Sequence, residues 1–129
     1  MTTDYKELAV WKQSRELVKE IYQATRALPR EETFGLTSQM RRAAVSISSN
    51  IAEGKGRYSQ KELVQFLYKS RGSLTELETQ IYIANDLDYI DETNKKNLLS
   101  KLTRVNQLLN GLIRRFQGEI HFREQSGDR

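Results

Sequence analysis

Small and apolar residues recur at alternating steps of three and four in three stretches of this chain, and no other feature constrains its fold as tightly. One series runs Leu63, Leu67, Ser70, Leu74, Leu77, Ile81, Ala84. A second runs Leu98, Leu102, Val105, Leu109, Leu112, Phe116, and the earliest runs Trp11, Ser14, Val18, Ile21, Thr25, Leu28. This heptad period keeps one stripe of each helix turned toward a partner, so the segments should pack side by side as a bundle. It also commits most apolar side chains to helix seams and leaves few to line a pocket.

The 129 residues suit one domain, which buries about two-thirds of its unfolded surface. One proline and seven glycines leave room for long helices. The absence of cysteine excludes disulfides and thiolate metal sites, and a reducing cytoplasm is the natural setting. The opening Met1-Thr2-Thr3-Asp4-Tyr5 lacks the layout of a secretion signal. No apolar run approaches the ~20 residues that span a bilayer, so no membrane partner is expected.

Four helices are predicted. The first starts between Asp4 and Leu8, with Asp4-x-x-Glu7 as a capping box, and ends at Leu28 because Pro29 disfavours helical geometry before it. The second covers Leu36 to Glu53, with Leu36, Met40, Ala44, Ile47 and Ile51 on one face. Val45-Ser46-Ile47-Ser48 alternates like a strand, but an isolated strand would have no pairing partner. Gly54 is placed as a left-handed C-cap. Ser59-x-x-Glu62 caps the third helix, which reaches Leu87, and Asp91 caps the fourth, which reaches Gln117. Short connections favour an all-α, antiparallel up-down-up-down four-helix bundle over residues 1–117, with a flexible polar tail over residues 118–129.

Charge is sorted along the chain. Lys55 to Arg71 carries five basic residues and one acid, whereas Leu74 to Asn94 holds six acids and no base. Lys95 to Gln117 then holds six bases and no acid. An antiparallel bundle gathers Lys55, Arg57, Lys61, Arg114, Arg115, Lys6 and Lys12 toward one pole. That pole reads either as a phosphate-binding patch with Tyr58 available to stack, or as an ordinary solvated surface diluted by Asp4, Glu7, Glu53 and Glu62. A net charge of +4 is modest for a nucleic-acid binder.

Catalytic patterns are missing from the sequence. Bundle metal sites use Glu-x-x-His pairs, and this chain has one histidine, His121, and no such motif. Gly54-Lys55-Gly56 lacks the spacing of a phosphate-binding loop. No metal, cofactor or activated nucleophile is expected, and the chain reads as no enzyme. Polar residues on the helix faces, Arg41 or Arg42 with Asn50 and Glu53, and Arg71 with Ser73 and Glu76, read as an arginine–glutamate network that fixes register, with a ligand-contacting cluster as the alternative. Gly72, within a helix, costs about 1 kcal/mol relative to alanine and should mark a close helix approach, met by Ala43, Ala44, Ser46 or Ala52.

Those same residues carry a family likeness. Arg42-Ala43-Ala44-Val45-Ser46-Ile47, Asn50-Ile51-Ala52-Glu53-Gly54 and Gly72-Ser73-Leu74-x-Glu76-Leu77-Glu78 resemble the bacterial four-helix-bundle family of 23S ribosomal RNA intervening-sequence proteins. A related bundle is the accessory protein of diversity-generating retroelements. The likeness runs from about Leu8 and Trp11 to Phe116. It implies an antiparallel bundle that assembles as a ring-shaped homopentamer and a nucleic-acid connection, since the retroelement relative binds nucleic acid and a reverse transcriptase. Ser48 stands where relatives often carry proline, which implies a straighter second helix.

Together these observations lead to a non-enzymatic, homo-oligomeric bundle that binds structured RNA or DNA through repeated basic patches. Lys55, Arg57, Lys61, Arg114 and Arg115 would contact phosphates. The alternative is a protein-interaction scaffold, such as an adaptor for a nucleic-acid-processing protein. Tyr22, Phe66, Tyr68 and Tyr82 are expected to serve subunit contacts in part.

Overall fold

Each heptad stretch is a helix in the computed structural model, which describes residues 4–126. The helices are α1 (Ala9–Thr25), α2 (Leu36–Lys55), α3 (Gln60–Asp86) and α4 (Glu92–Ser126). Contacts run α1 to α2, α2 to α3, α3 to α4 and α4 back to α1, with no diagonal pair among the described residues. Short connections make neighbours antiparallel, so the fold is the up-down-up-down bundle that the spacing implied. No described helix is long and apolar enough to cross a membrane.

The stripe on α3 is buried throughout, from Leu63 to Ala84, Ser70 included. Elsewhere the helical period of 3.6 drifts from the 3.5-residue repeat. In α1, Val10 and Leu17 therefore enter the core while Trp11 and Val18 sit at its margin. In α4, Ile113 is buried and Leu112 packs at the edge.

The helix ends correct several expectations. Asp4 caps a 3-10 turn at Tyr5–Glu7, accepting from Lys6 N at 3.0 Å, rather than capping α1 itself. α1 stops at Thr25, and Ala27 and Leu28 then donate to Ala24 and Thr25 carbonyls, a tighter winding just ahead of Pro29. α2 runs helically through Gly54 to Lys55, so Gly54 is no left-handed cap. That conformation falls instead on Asp88, at φ 61°. There Asp88 N and Tyr89 N bond to the carbonyls of Asn85 and Ala84 at 3.0 and 2.9 Å, which closes α3 with a Schellman motif. Ser59 and Asp91 cap α3 and α4 as expected, Asp91 Oδ1 accepting from Asn94 N at 2.8 Å.

α4 also continues to Ser126 instead of ending near Gln117. The added turns are held by α3, where Gln60 Nε2 donates to Glu119 Oε2 at 2.8 Å and Lys61 pairs with Glu124 at 3.0 Å. Ile120 also packs against the core from this segment. Residues 127–129 of the expected tail lie outside the described residues.

Two polar ties hold the opposite half. Glu32 accepts from Leu36 N at the start of α2 and from the Tyr89 hydroxyl at 3.0 Å, joining the α1–α2 and α3–α4 connections. Lys101 of α4 pairs with Glu20 of α1 at 2.8 Å. The hydrogen bond to Glu32 raises the Tyr89 pKa above its usual value, and the bond to Glu20 does the same for Lys101. Both groups bind their proton more tightly folded than unfolded. Their contribution is complete below about pH 10 and is lost as pH rises through the raised values. Urea midpoints measured against pH should therefore fall above about pH 10, and Tyr89→Phe should reduce the drop.

Candidate nucleic-acid interface

The end of α2, the start of α3 and the last turns of α4 meet at one pole. Gly54 makes this possible. A Cβ there would lie 3.0 Å from Phe66 Cβ and 3.2 Å from the Leu63 carbonyl, so α2 and α3 approach closely where glycine removes the side chain. Gly72 has nothing within 4 Å of its Cβ position, and the close approach expected there is absent.

Lys55 reaches across from α2 to α4, its ammonium 5.2 Å from the Phe116 ring, with the Arg115 guanidinium 5.1 Å from the same ring. Arg57 and Lys69 lie 4.6 and 4.4 Å from the Phe66 ring. Arg114 is exposed on α4, and Tyr58 is fully exposed at the α2–α3 turn. Lys55, Arg57, Lys61 and Arg115 thus reach the same end of the molecule, while Arg114 stands beside Arg115 on α4 with its guanidinium turned back toward Gly111. Carboxylates accompany them. Arg57 pairs with Glu53 at 3.4 Å, Arg115 with Glu119 at 3.6 Å and Lys61 with Glu124. Lys55 and Arg114 form no ion pair among the described residues. Lys6 and Lys12 lie at the same end of the bundle, where the Tyr5–Glu7 turn contacts α2 and Ser14 meets Ser48, and they line a shallow groove on α1 with Trp11, Arg15, Glu16 and Lys19.

The expected arginine–glutamate network does not form. Arg41 turns toward α1, donating to Thr25 Oγ1 at 2.9 Å and to the Tyr22 carbonyl at 3.3 Å, and stacks on the Tyr22 ring. Arg71 turns toward α4 and donates to Asn110 at 3.0 Å. Arg42 is exposed, Asn50 bonds to Ser46, Glu53 pairs on the surface with Arg57, and Glu76 accepts from Gln80. The two arginines face away from each other across the α2–α3 seam, so no carboxylate can join them.

Serines fill the role instead, a feature the sequence reading missed. Ser14 and Ser48 hydroxyls meet at 2.7 Å between α1 and α2, and Ser46 and Ser73 at 2.9 Å between α2 and α3. Ser70, fully buried, donates to the Ile47 carbonyl at 2.8 Å. Short side chains allow the helices to approach while each hydroxyl stays satisfied. The available signal was serine at stripe positions 14 and 70.

No three His, Cys, Asp or Glu side chains converge as a metal site among the described residues. His121 is exposed and within hydrogen-bond distance of Gln125.

The family described as 23S rRNA-intervening sequence protein matches residues 6–111. The chain belongs to that family. A crystal structure titled as a protein of unknown function from the S23 ribosomal protein family of Bacteroides thetaiotaomicron VPI-5482 shares the fold, with a TM-score of 0.73 and 22% identity over 81% of this chain and 98% of that one. No curated protein matches the chain. Seen on the family fold, the motifs around Ser46, Gly54 and Ser73 form the α2–α3 seam. Arg114 and Arg115 lie beyond the matched residues.

Proposed function

We propose that this member of the intervening-sequence family is a non-enzymatic bundle that self-associates in the cytoplasm and binds structured RNA or DNA. The contacts are Lys55, Arg57, Lys61, Arg114 and Arg115, repeated in every copy around a homopentameric ring. The supporting observation is the convergence of these cations from three helices on one pole, two of them over the Phe116 ring. A single pole holds few free charges, because Glu53, Glu119 and Glu124 occupy three of the five. Repetition answers that weakness: linked sites bind with an effective concentration that raises avidity about 10²–10⁴-fold.

Titrating RNA and duplex DNA at several salt concentrations tests the proposal. Log K should fall linearly with log salt, with a slope of about −0.7 to −0.9 for each phosphate neutralised. No binding at low salt rejects it. A scaffold function is the second reading, favoured by exposed apolar side chains such as Tyr22, Val45, Tyr82 and Ile83 that the single chain leaves uncovered. A defined protein partner retained after nuclease treatment would support that reading instead.

A further inference from the structure

Six of the nine large apolar side chains exposed among the described residues fall in two groups, with Tyr58, Tyr68 and Phe122 outside them. Tyr22 and Val45, 39% and 41% exposed, stand together with Phe34 on the outer side of α1 and α2. The surrounding charge is basic: Arg15 and Lys19 line the groove beside Tyr22 and Val45, while Arg41 and Arg42 line the next one. Glu16 lies on the neighbouring α1 groove, beside Lys12. Tyr82, Ile83 and Leu87, 47%, 40% and 50% exposed, form a second patch on the last turns of α3. Its surroundings are acidic. Glu76, Asp86 and Asp88 are exposed, and no lysine or arginine occurs between Leu74 and Asn94. Lys95 lies over the Tyr82 ring, but its charge is matched by Glu92 at 2.6 Å.

The two patches also share a height along the bundle. Arg41 bonds to Tyr22 and Thr25, which sets the α1 patch level with the first half of α2. The Ser46–Ser73 contact in turn sets that half of α2 level with the later turns of α3. A second copy can therefore bring its acidic patch to the basic one by moving sideways, with little displacement along the helix axes.

We propose that copies of this chain dock head to tail, the basic apolar face of α1–α2 on one copy against the acidic apolar face of α3 on the next. This assignment rests on the self-association proposed above and names the surfaces that carry it. Complementary charge selects the pairing and opposes contacts between like faces. Because the faces differ, the interface is heterologous and propagates from copy to copy, closing into a ring where the rotation allows. Tyr22 and Tyr82 then lie at the interface, while Lys55 and Arg114 at the pole remain free for another ligand.

Sedimentation of nuclease-treated protein tests the pairing by charge exchange. One variant carries Arg15→Glu, Lys19→Glu and Arg42→Glu; the other carries Glu76→Lys and Asp86→Lys. Circular dichroism confirms that both are folded, as exposed substitutions allow. Wild type should assemble, and each variant alone should need a concentration at least about tenfold higher to do so. A third variant carrying both sets of substitutions should recover assembly, because its reversed faces complement each other in a ring of any size. If both single-face variants assemble like wild type, if only one is weakened, or if the combined variant does not recover, the pairing is wrong and self-association uses other surfaces. A wild-type chain that stays monomeric at micromolar concentration instead removes the self-association reading and the pairing with it.

Discussion

Gly54→Val should lower the free energy of unfolding by about 1–3 kcal/mol, whereas Gly72→Ala should raise it by about 0.5–1 kcal/mol. Both glycines lie within helices, Gly72 in the interior of α3 and Gly54 in the last turn of α2, so helix propensity favours replacing either one. Their surroundings decide the sign. A Cβ at Gly54 meets Phe66 Cβ at 3.0 Å and the backbone carbonyl of Leu63 at 3.2 Å, and neither is a flexible end that can swing aside. Valine adds two further methyl groups to that crowding, so α2 and α3 must part at this close contact. At Gly72 the Cβ enters open space. Alanine there only limits the unfolded chain and favours the helix. Urea unfolding measures both effects, and an unchanged slope with denaturant would assign them to stability rather than to a changed unfolded state. Equal destabilisation by both substitutions would contradict the seam described for α2 and α3.

These glycines also show what the sequence could disclose. Heptad spacing identifies which stretches are helices, because a period of three and four has few other solutions. It gives the buried stripe in full only for α3, since in α1 and α4 Val10, Leu17 and Ile113 take core places outside the series. Leu63 to Ala84 lie in the core as their spacing requires. Helix ends were less legible. A glycine followed by a basic residue reads as a stop, yet at Gly54 the missing side chain serves packing and the chain stays helical. Asp88 takes the left-handed turn because a short polar side chain tolerates it, a choice that local sequence does not enforce. The convergence of Lys55, Lys61 and Arg115 followed from antiparallel topology. The pairing of Lys61 with Glu124 and of Arg115 with Glu119 depended on the added helical turns of α4 and on rotamers, and that of Arg57 with Glu53 on rotamers alone, which spacing does not encode. Nor does spacing say which way an arginine turns from a seam, and Arg41 and Arg71 turn in opposite directions.

The pairing of cations at the pole predicts two changes of opposite sign in nucleic-acid binding. Lys55→Glu with Arg114→Glu removes the two candidate cations that have no carboxylate partner among the described residues. Loss of two phosphate contacts should flatten the salt dependence by about 0.7–0.9 per contact and weaken binding at low salt by about tenfold or more. Glu53→Gln with Glu119→Gln works the other way. Those carboxylates sit 3.4 Å from Arg57 and 3.6 Å from Arg115, and a phosphate must displace them before it reaches either guanidinium. Their removal frees both arginines, so binding should tighten and the salt dependence should steepen by up to about 0.7–0.9 for each arginine released. Stability serves as the control. The ion pairs are well exposed, with side-chain exposures of 43% and 59% for one and 65% and 40% for the other, and such pairs contribute only about 0–1 kcal/mol. Thermal unfolding should consequently change little while affinity moves in opposite directions. If RNA binds wild type but both variants keep its affinity and salt slope, the pole is not the contact surface. The phosphates must then meet cations elsewhere.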